Sequence, residues 1–96
     1  MKTISLASLV GSFAENKDVA RDIRLKDILP IVSKGKEIII DFDGINGATQ
    51  SFIHALISDV IRQEGVEVIE KLHFKNCNLT VRRIISIVID YMQESF

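Results

Sequence analysis

The sequence has little of what marks several common protein classes. Its 96 residues include one Cys, one Pro and no Trp. The lone Cys77 cannot form an internal disulfide, so the framework of a disulfide-rich secreted domain is missing. No wholly apolar run is longer than three residues, as at residues 38–40, whereas a helix that spans a bilayer needs about 20. We therefore expect neither a disulfide-stapled fold nor a membrane segment.

Charge of one sign is also lacking. Twelve Lys and Arg stand against thirteen Asp and Glu, giving a net charge of −1, and the longest basic run is Arg82-Arg83. A chain with this balance has no long-range field to attract nucleic acid or an anionic membrane. Thr3, Ser5 and Ser8 interrupt the first apolar stretch, so no signal peptide is expected. These features predict a cytoplasmic protein that binds neither nucleic acid nor membrane.

The residues present predict a single small α/β domain over residues 1–96. Hydrophobic residues make up 47% of the chain, and β-branched runs alternate with longer amphipathic segments. The order is β-α-β-α-β-α, a mostly parallel open sheet with packed helices. The expected strands cover residues 4–10, 37–42 and 68–74, and the expected helices cover residues 16–34, 51–63 and 80–94. Asn16 is the expected N-cap of the first helix. The second helix is expected to end at Gly65 and to bury a wide face of adjoining apolar stripes. Pro30 predicts a kink or break near residues 24–29 of the first helix.

Two of these elements carry further expectations. Three consecutive Ile at residues 38–40 cannot alternate between core and solvent, so we expect a central parallel strand covered on both faces. In the last helix Ile87, Ile89 and Tyr91 widen the apolar arc beyond the stripe of a helix packed on one side. Either the core wraps both flanks of this helix, or the helix forms a homodimer or partner surface.

The segment after the central strand concentrates the polar chemistry. Asp41-Phe42-Asp43-Gly44 resembles the nucleophile motif of haloacid-dehalogenase-type phosphatases, which implies a small Mg²⁺-dependent phosphate-handling enzyme using Asp41 and Asp43. That motif continues with Thr where this chain has Ile45. The alternative is a structural role for these residues. Asp41 then accepts hydrogen bonds from loop or helix N–H groups, and Gly44 and Gly47 supply turn geometry.

A second resemblance covers residues 17–92. Residues 38–42, Gly44-Ile45, Ser51-Phe52 and residues 72–76 with Val81 look like the STAS-like domain family of unknown function, which is similar to bacterial anti-sigma-factor antagonists. This resemblance implies a non-catalytic regulator without a cofactor, whose partner is a histidine-kinase-like ATP-binding protein or a sigma-factor regulator. It places the contact surface on the loop and helix start after the central strand. The expected contact residues are Asp43, Gly44, Asn46, Gly47, Thr49, Gln50, Ser51 and Phe52.

Phosphorylation is the regulation that the resemblance implies. The antagonists carry Asp-Ser-Ser-Gly with a modified Ser at a helix N-terminus, where free N–H groups and the helix dipole favour a phosphate. The aligned stretch here is Thr49-Gln50-Ser51-Phe52, so Gln50 replaces the modified Ser. Ser51 and Thr49 are the substitute acceptors. Thr, Gln and Ser before an apolar run are equally typical of plain helix capping.

The remaining polar residues predict no catalytic or metal site. His54 falls on a helix and His73 on a strand, with no third ligand at metal-binding spacing. Ser51 and His54 are three residues apart and could touch, but no nucleophile elbow surrounds them. A mild positive edge is expected to be solvated, with docking of an acidic partner as the alternative. Its members are Lys71, Lys75, Arg82 and Arg83.

Overall fold

Short strands alternate with helices along residues 1–94, the part of the chain that the computed structural model describes. The strands are β1 (Lys2–Ser5), β2 (Phe13–Ala14), β3 (Ile38–Asp41), β4 (Gly47–Ala48) and β5 (Leu72–Lys75). The helices are α1 (Leu6–Val10), α2 (Lys17–Ile23), α3 (Leu29–Val32), α4 (Gln50–Glu64) and α5 (Leu79–Glu94). A π-helical turn (Arg24–Ile28) joins α2 to α3, and a 3₁₀ helix (Val66–Lys71) precedes β5.

The main sheet has three parallel strands in the order β1-β3-β5. Ile40 of β3 stands opposite Ile4 of β1 and Phe74 of β5. Parallel neighbours need crossover connections, and helical segments provide them between β1 and β3 and again between β3 and β5. The predicted central parallel strand and the α/β class are thus confirmed.

The two faces of this sheet differ in burial. Ile38 and Ile40 are fully buried, but Ile39 between them is only partly buried. Thr3 and His73, which flank Ile39 in register, are exposed. One face of the sheet is therefore buried, and the expectation that both faces of β3 are covered is correct for that face only. On the other face the exposed polar neighbours in β1 and β5 leave Ile39 partly accessible to solvent.

Helix α4 provides much of the core. Its predicted apolar stripes are confirmed, because every member is fully buried: Phe52, Ile53, Leu56, Ile57, Val60 and Ile61. The Thr49 hydroxyl caps the first turn by accepting from the Phe52 N–H at 3.1 Å. Gly65, with φ +90°, ends the helix as predicted.

The predicted break near Pro30 is confirmed, and it takes the form of a π-turn. Asn16 caps α2 through its side-chain oxygen, which accepts from the N–H groups of Asp18 and Val19. At the turn the Leu29 N–H bonds to the Arg24 carbonyl, five residues back. Pro30 lies in the first turn of α3. A backbone N–H at that position makes no hydrogen bond within the helix, so proline can occupy it without the loss of a bond.

Two predicted strands are wrong in part. Of residues 4–10, only the first two belong to β1, and Leu6–Val10 is a helix that Gly11 ends with a bond to the Ala7 carbonyl at 2.9 Å. Of residues 68–74, only the last three belong to β5. Val66 and Ile69, one 3₁₀ turn apart, are both partly buried, and Val68 between them is buried, which suits a 3₁₀ helix. In both cases the β-branched residues indicated a strand, but tertiary contacts determined the conformation.

A second parallel pair, β2 with β4, was not predicted. Phe13 stands opposite Gly47, and Ala14 stands opposite Ala48. Thr49 extends the contact by donating its N–H to the Ala14 carbonyl at 2.9 Å. This pair attaches the segment after α1 to the loop between β3 and α4.

Helix α5 is amphipathic and only part of its apolar arc is covered. Val81, Ile85, Val88 and Met92 are buried. Ile87 remains 52% exposed and Tyr91 58% exposed. The core therefore does not wrap both flanks of this helix within the described part of the chain.

Leu56→Ala should destabilise the domain by about 3 kcal/mol, because it leaves a cavity in the centre of the core. Leu25→Ala is the matched control, since Leu25 also lies in a helical segment but is 48% exposed. It should change the free energy of unfolding by no more than about 0.5 kcal/mol. Urea unfolding followed by circular dichroism measures both values. Equal losses in the two variants would contradict the core described above.

Candidate functional site

The predicted contact loop begins where β3 ends, at the carboxyl edge of the sheet. The Phe42 N–H bonds to the Lys75 carbonyl at 2.8 Å, which continues the sheet one residue past β3. The Ile45 N–H then bonds back to the Phe42 carbonyl at 2.9 Å, closing a turn. Gly44 occupies that turn with φ +86°, a conformation that favours glycine. Ligands of open α/β sheets commonly bind at this edge.

Asp41 organises the start of the loop. One carboxylate oxygen, Oδ1, accepts from the Asp43 N–H at 2.9 Å and from the Asn76 Nδ2 at 3.0 Å. The Asn76 bond, the Asp43 N–H and the nearby Lys75 charge lower the pKa of Asp41 below its usual value. Asp41 is thus a hydrogen-bond acceptor for the loop, as predicted from the residues around it. It ties β3 to the turn after β5.

Asn76 and Asn78 hold the loop from the side of β5. Asn76 has φ +59°, a left-handed conformation that asparagine tolerates better than most residues. The Asn78 Nδ2 donates to the Asn46 carbonyl at 2.8 Å, while its Oδ1 accepts from the Val81 N–H at 2.9 Å. The same side chain therefore caps the first turn of α5 and fixes the contact loop.

The opposite side of the loop is held by the segment after α1. The Asn46 N–H donates to the Ser12 carbonyl at 2.7 Å. Gly47 lies directly against the Phe13 ring, because a Cβ at this position would come within 2.8 Å of the ring edge. Asn46 is consequently held from both sides, through its N–H and through its carbonyl, and the loop is an ordered surface.

At the start of α4 the two candidate phosphoacceptors lie side by side. The Thr49 and Ser51 hydroxyl oxygens are 3.3 Å apart. Thr49 is partly buried and serves as the N-cap, whereas Ser51 is exposed. The predicted capping role of Thr49 is therefore confirmed. The Ser51 hydroxyl is the more accessible of the two.

The predicted contact residues reach the surface, with one exception. Asp43, Gly44, Asn46, Gln50 and Ser51 are exposed, and Gly47 and Thr49 are partly buried. Phe52, however, is fully buried. Its placement on a contact surface is wrong, because the third residue of α4 faces the core.

Two exposed apolar side chains beside these residues were not predicted from the sequence. Phe13 is 50% exposed and Leu9 is 51% exposed. Both precede α2, in a segment whose role depends on the β2–β4 pair. The signal in the sequence was weak, since it consists of one aromatic residue after the Gly11-Ser12 turn. With Asn46, Gln50 and Ser51, these two side chains make up what we call the junction surface.

The two histidines lie in separate places. The His54 Nδ1 is 3.2 Å from the Ser58 hydroxyl, which donates its proton to the His54 carbonyl, and the His54 ring contacts Tyr91. His73 lies 2.6 Å from the Glu37 carboxylate. No hydrogen bond joins His54 to Ser51 among residues 1–94, and the same residues contain no cluster of three His, Cys, Asp or Glu side chains near enough to bind a metal ion.

The fold and this junction describe a small α/β domain of the STAS-like type. The chain matches the family model described as a STAS-like domain of unknown function (DUF4325) over residues 20–82, and it belongs to that family. The matched range contains β3, the loop and α4, while β1 and most of α5 lie outside it. No curated protein and no solved structure gives a significant match. Among the described residues, no helix has the length and apolar content needed to cross a membrane.

Asp41→Asn should make stability depend less on pH in the acid range. The folded pKa of Asp41 is lowered, so its contribution is present above the unfolded pKa near 3.8 and is lost as pH falls through the folded value. Thermal unfolding between pH 2.5 and 7 tests this expectation. Asp43→Asn is the control, because the Asp43 side chain accepts no hydrogen bond from the described residues. A pH profile of Asp41→Asn that matches the wild type would refute the role given to this carboxylate.

Proposed function

We propose that this STAS-like domain is a non-catalytic protein-binding module whose contact area is the junction surface. The observation that carries the proposal is an exposed aromatic ring, that of Phe13, which lies beside exposed polar groups on an ordered loop. Phe13 lies against Gly47, next to Asn46, and Gln50 begins the adjoining helix. Aromatic side chains are enriched in protein interfaces, and an ordered loop loses little entropy on binding.

A binding role has better support than phosphate chemistry by Asp41 and Asp43. A nucleophilic carboxylate needs an oxygen directed at its substrate. In this chain Oδ1 of Asp41 accepts two hydrogen bonds from the protein, from Asp43 and Asn76. Strand β3 also ends at Asp41, so Asp43 belongs to the following turn. These bonds support a structural role for Asp41.

The partner class follows from the resemblance to anti-sigma-factor antagonists. It is a histidine-kinase-like ATP-binding protein or a sigma-factor regulator, and we place the interaction in the cytoplasm. Phosphorylation would act at Ser51, which is exposed at the second position of α4, where helix N–H groups and the dipole stabilise a phosphate. Modification of Thr49 would instead remove the hydroxyl that caps the helix. Ser51 is therefore the preferred acceptor.

Leu9→Arg should abolish capture of an ATP-binding partner from native cytosol in the presence of Mg-ATP. The change replaces an exposed apolar side chain of the junction surface with a charge that a partner would have to bury. Leu25→Arg is the matched control, because Leu25 is exposed to a similar extent in another helical segment. Affinity capture with quantitative mass spectrometry compares the two variants, and intact mass of the recovered bait reports phosphate. Equal recovery of the partner by both variants would refute the junction surface.

A second candidate, self-association through α5, is favoured by the exposed Ile87. This side chain, with Val88 and Tyr91, lines a cavity of about 240 Å³ between α5 and α4. Ile87→Glu should convert a dimer into a monomer, because it would bury a charge in the interface. Light scattering of the wild type and the variant measures the molar mass. Ser86→Glu, one residue away and exposed, controls for added charge. A monomeric wild type removes this candidate.

A further inference from the structure

A groove between α2 and α4 runs alongside the junction surface. It consists of two adjoining cavities of about 390 and 410 Å³ that share Lys17, His54 and Ala55. Gln50 and Ser51 line the end next to the junction surface, and Asp59 lines the other end. Along α4 the groove extends over nine residues, from Gln50 to Asp59, which is about 14 Å at 1.5 Å per residue. We call this feature the α2–α4 groove.

Two cations in the groove are not neutralised by the protein. Lys17 and Arg21 lie one helical turn apart on α2, both exposed, and neither forms a salt bridge with a described residue. Each cation has an acidic neighbour in sequence, Asp18 beside Lys17 and Asp22 beside Arg21, and Asp18 also lines the groove. An i,i+4 pair on a helix has Cβ atoms about 5–6 Å apart.

The acid at the far end, by contrast, is neutralised. Arg24 is only 9% exposed, and its Nη1 donates to the Ala55 carbonyl at 2.8 Å and lies 3.0 Å from the Asp59 carboxylate. Arg62 contacts the same carboxylate at 2.6 Å. The Nε of Arg24 is buried and has no hydrogen-bond partner among the described residues, so the guanidinium keeps unused donor capacity beside the groove. With Asp59 paired, Lys17 and Arg21 outnumber Asp18, so the remaining charge of the groove is positive.

The spacing of these cations matches an extended peptide. Alternate residues of an extended chain lie about 6.6 Å apart and point to the same face. Two carboxylates at positions i and i+2 of such a peptide would reach Lys17 and Arg21 together. A groove of about 14 Å accepts roughly four extended residues. The net charge of −1 for the whole chain provides no broad basic surface of the kind that nucleic acid needs, so the two cations of the groove suit a short acidic segment of a protein.

We propose that the α2–α4 groove binds a short acidic segment of the protein partner, with carboxylates at alternate positions held by Lys17 and Arg21. This inference rests on the proposed function and adds the chemistry of the partner. The groove meets the junction surface at Gln50 and Ser51. The same partner therefore contacts both.

The test is an NMR titration of the ¹⁵N-labelled protein with two synthetic peptides, acetyl-Gly-Glu-Ala-Glu-Gly-amide and its isomer acetyl-Gly-Glu-Glu-Ala-Gly-amide. The first peptide should shift the amide signals of Lys17, Arg21, Ser51 and Ala55 and bind more tightly than the second. Replacing both cations, Lys17→Gln with Arg21→Gln, should weaken binding about two- to five-fold for each cation removed. Asp18→Asn should strengthen it by a similar factor, because a competing carboxylate is lost.

The matched control is Lys34→Gln with Lys36→Gln, which removes two exposed cations from the segment after α3. It should leave peptide binding unchanged at constant ionic strength. Equal weakening by both double variants, equal binding of the two peptides, or shifts absent from the groove would overturn the proposal. Displacement of the first peptide by inorganic phosphate at equal concentration would also overturn it, since the groove would then be a general anion site.

Failure of this inference and failure of the proposed function give different results. If the groove does not bind the peptide but Leu9→Arg still abolishes partner capture, the junction surface stands and the acidic segment is wrong. If the wild type captures no ATP-binding partner, the proposed function fails whatever the peptide does.

Discussion

Parallel pairing of β3 with a strand on each side is the constraint on which the rest of the structure depends. Parallel strands end at the same edge of a sheet, so the turns after β3 and β5 meet there, together with the helix that each turn begins. The segment after α1 joins them through the β2–β4 pair. The junction surface exists only because of this arrangement, since its residues come from two segments that are distant along the chain, residues 9–13 and 46–51.

Asparagine and aspartate side chains convert that meeting point into an ordered surface. Asp41 accepts from Asn76 across two strands, and Asn78 connects the contact loop to the first turn of α5. Each bond satisfies a polar group that a turn or helix end would otherwise leave to water. Because every contact segment is tied to a neighbouring element, the surface is shaped before any partner arrives, which lowers the entropic cost of binding.

The same principle of satisfied polar groups explains Arg24. The π-turn after α2 brings this residue against α4, where its guanidinium binds the Ala55 carbonyl and Asp59. Burial of an arginine requires such partners, because an unpaired buried charge is costly. Lys17 and Arg21, on the preceding turns of α2, form no salt bridge among the described residues and remain exposed. Along the groove, one cation therefore stabilises the fold and two are available to a ligand.

The sequence by itself determined the central strand, the buried stripes of α4, the Asn16 cap and the break before Pro30. Each of these follows from local chemistry, namely residue hydrophobicity at a fixed period, side-chain capping or a missing N–H. Only the tertiary structure decided that residues 6–10 and 66–71 are helical, that Phe52 faces the core, and that Phe13 lies on Gly47. The physical reason is that short apolar segments fit either strand or helix, and contacts between residues far apart in the chain select between them.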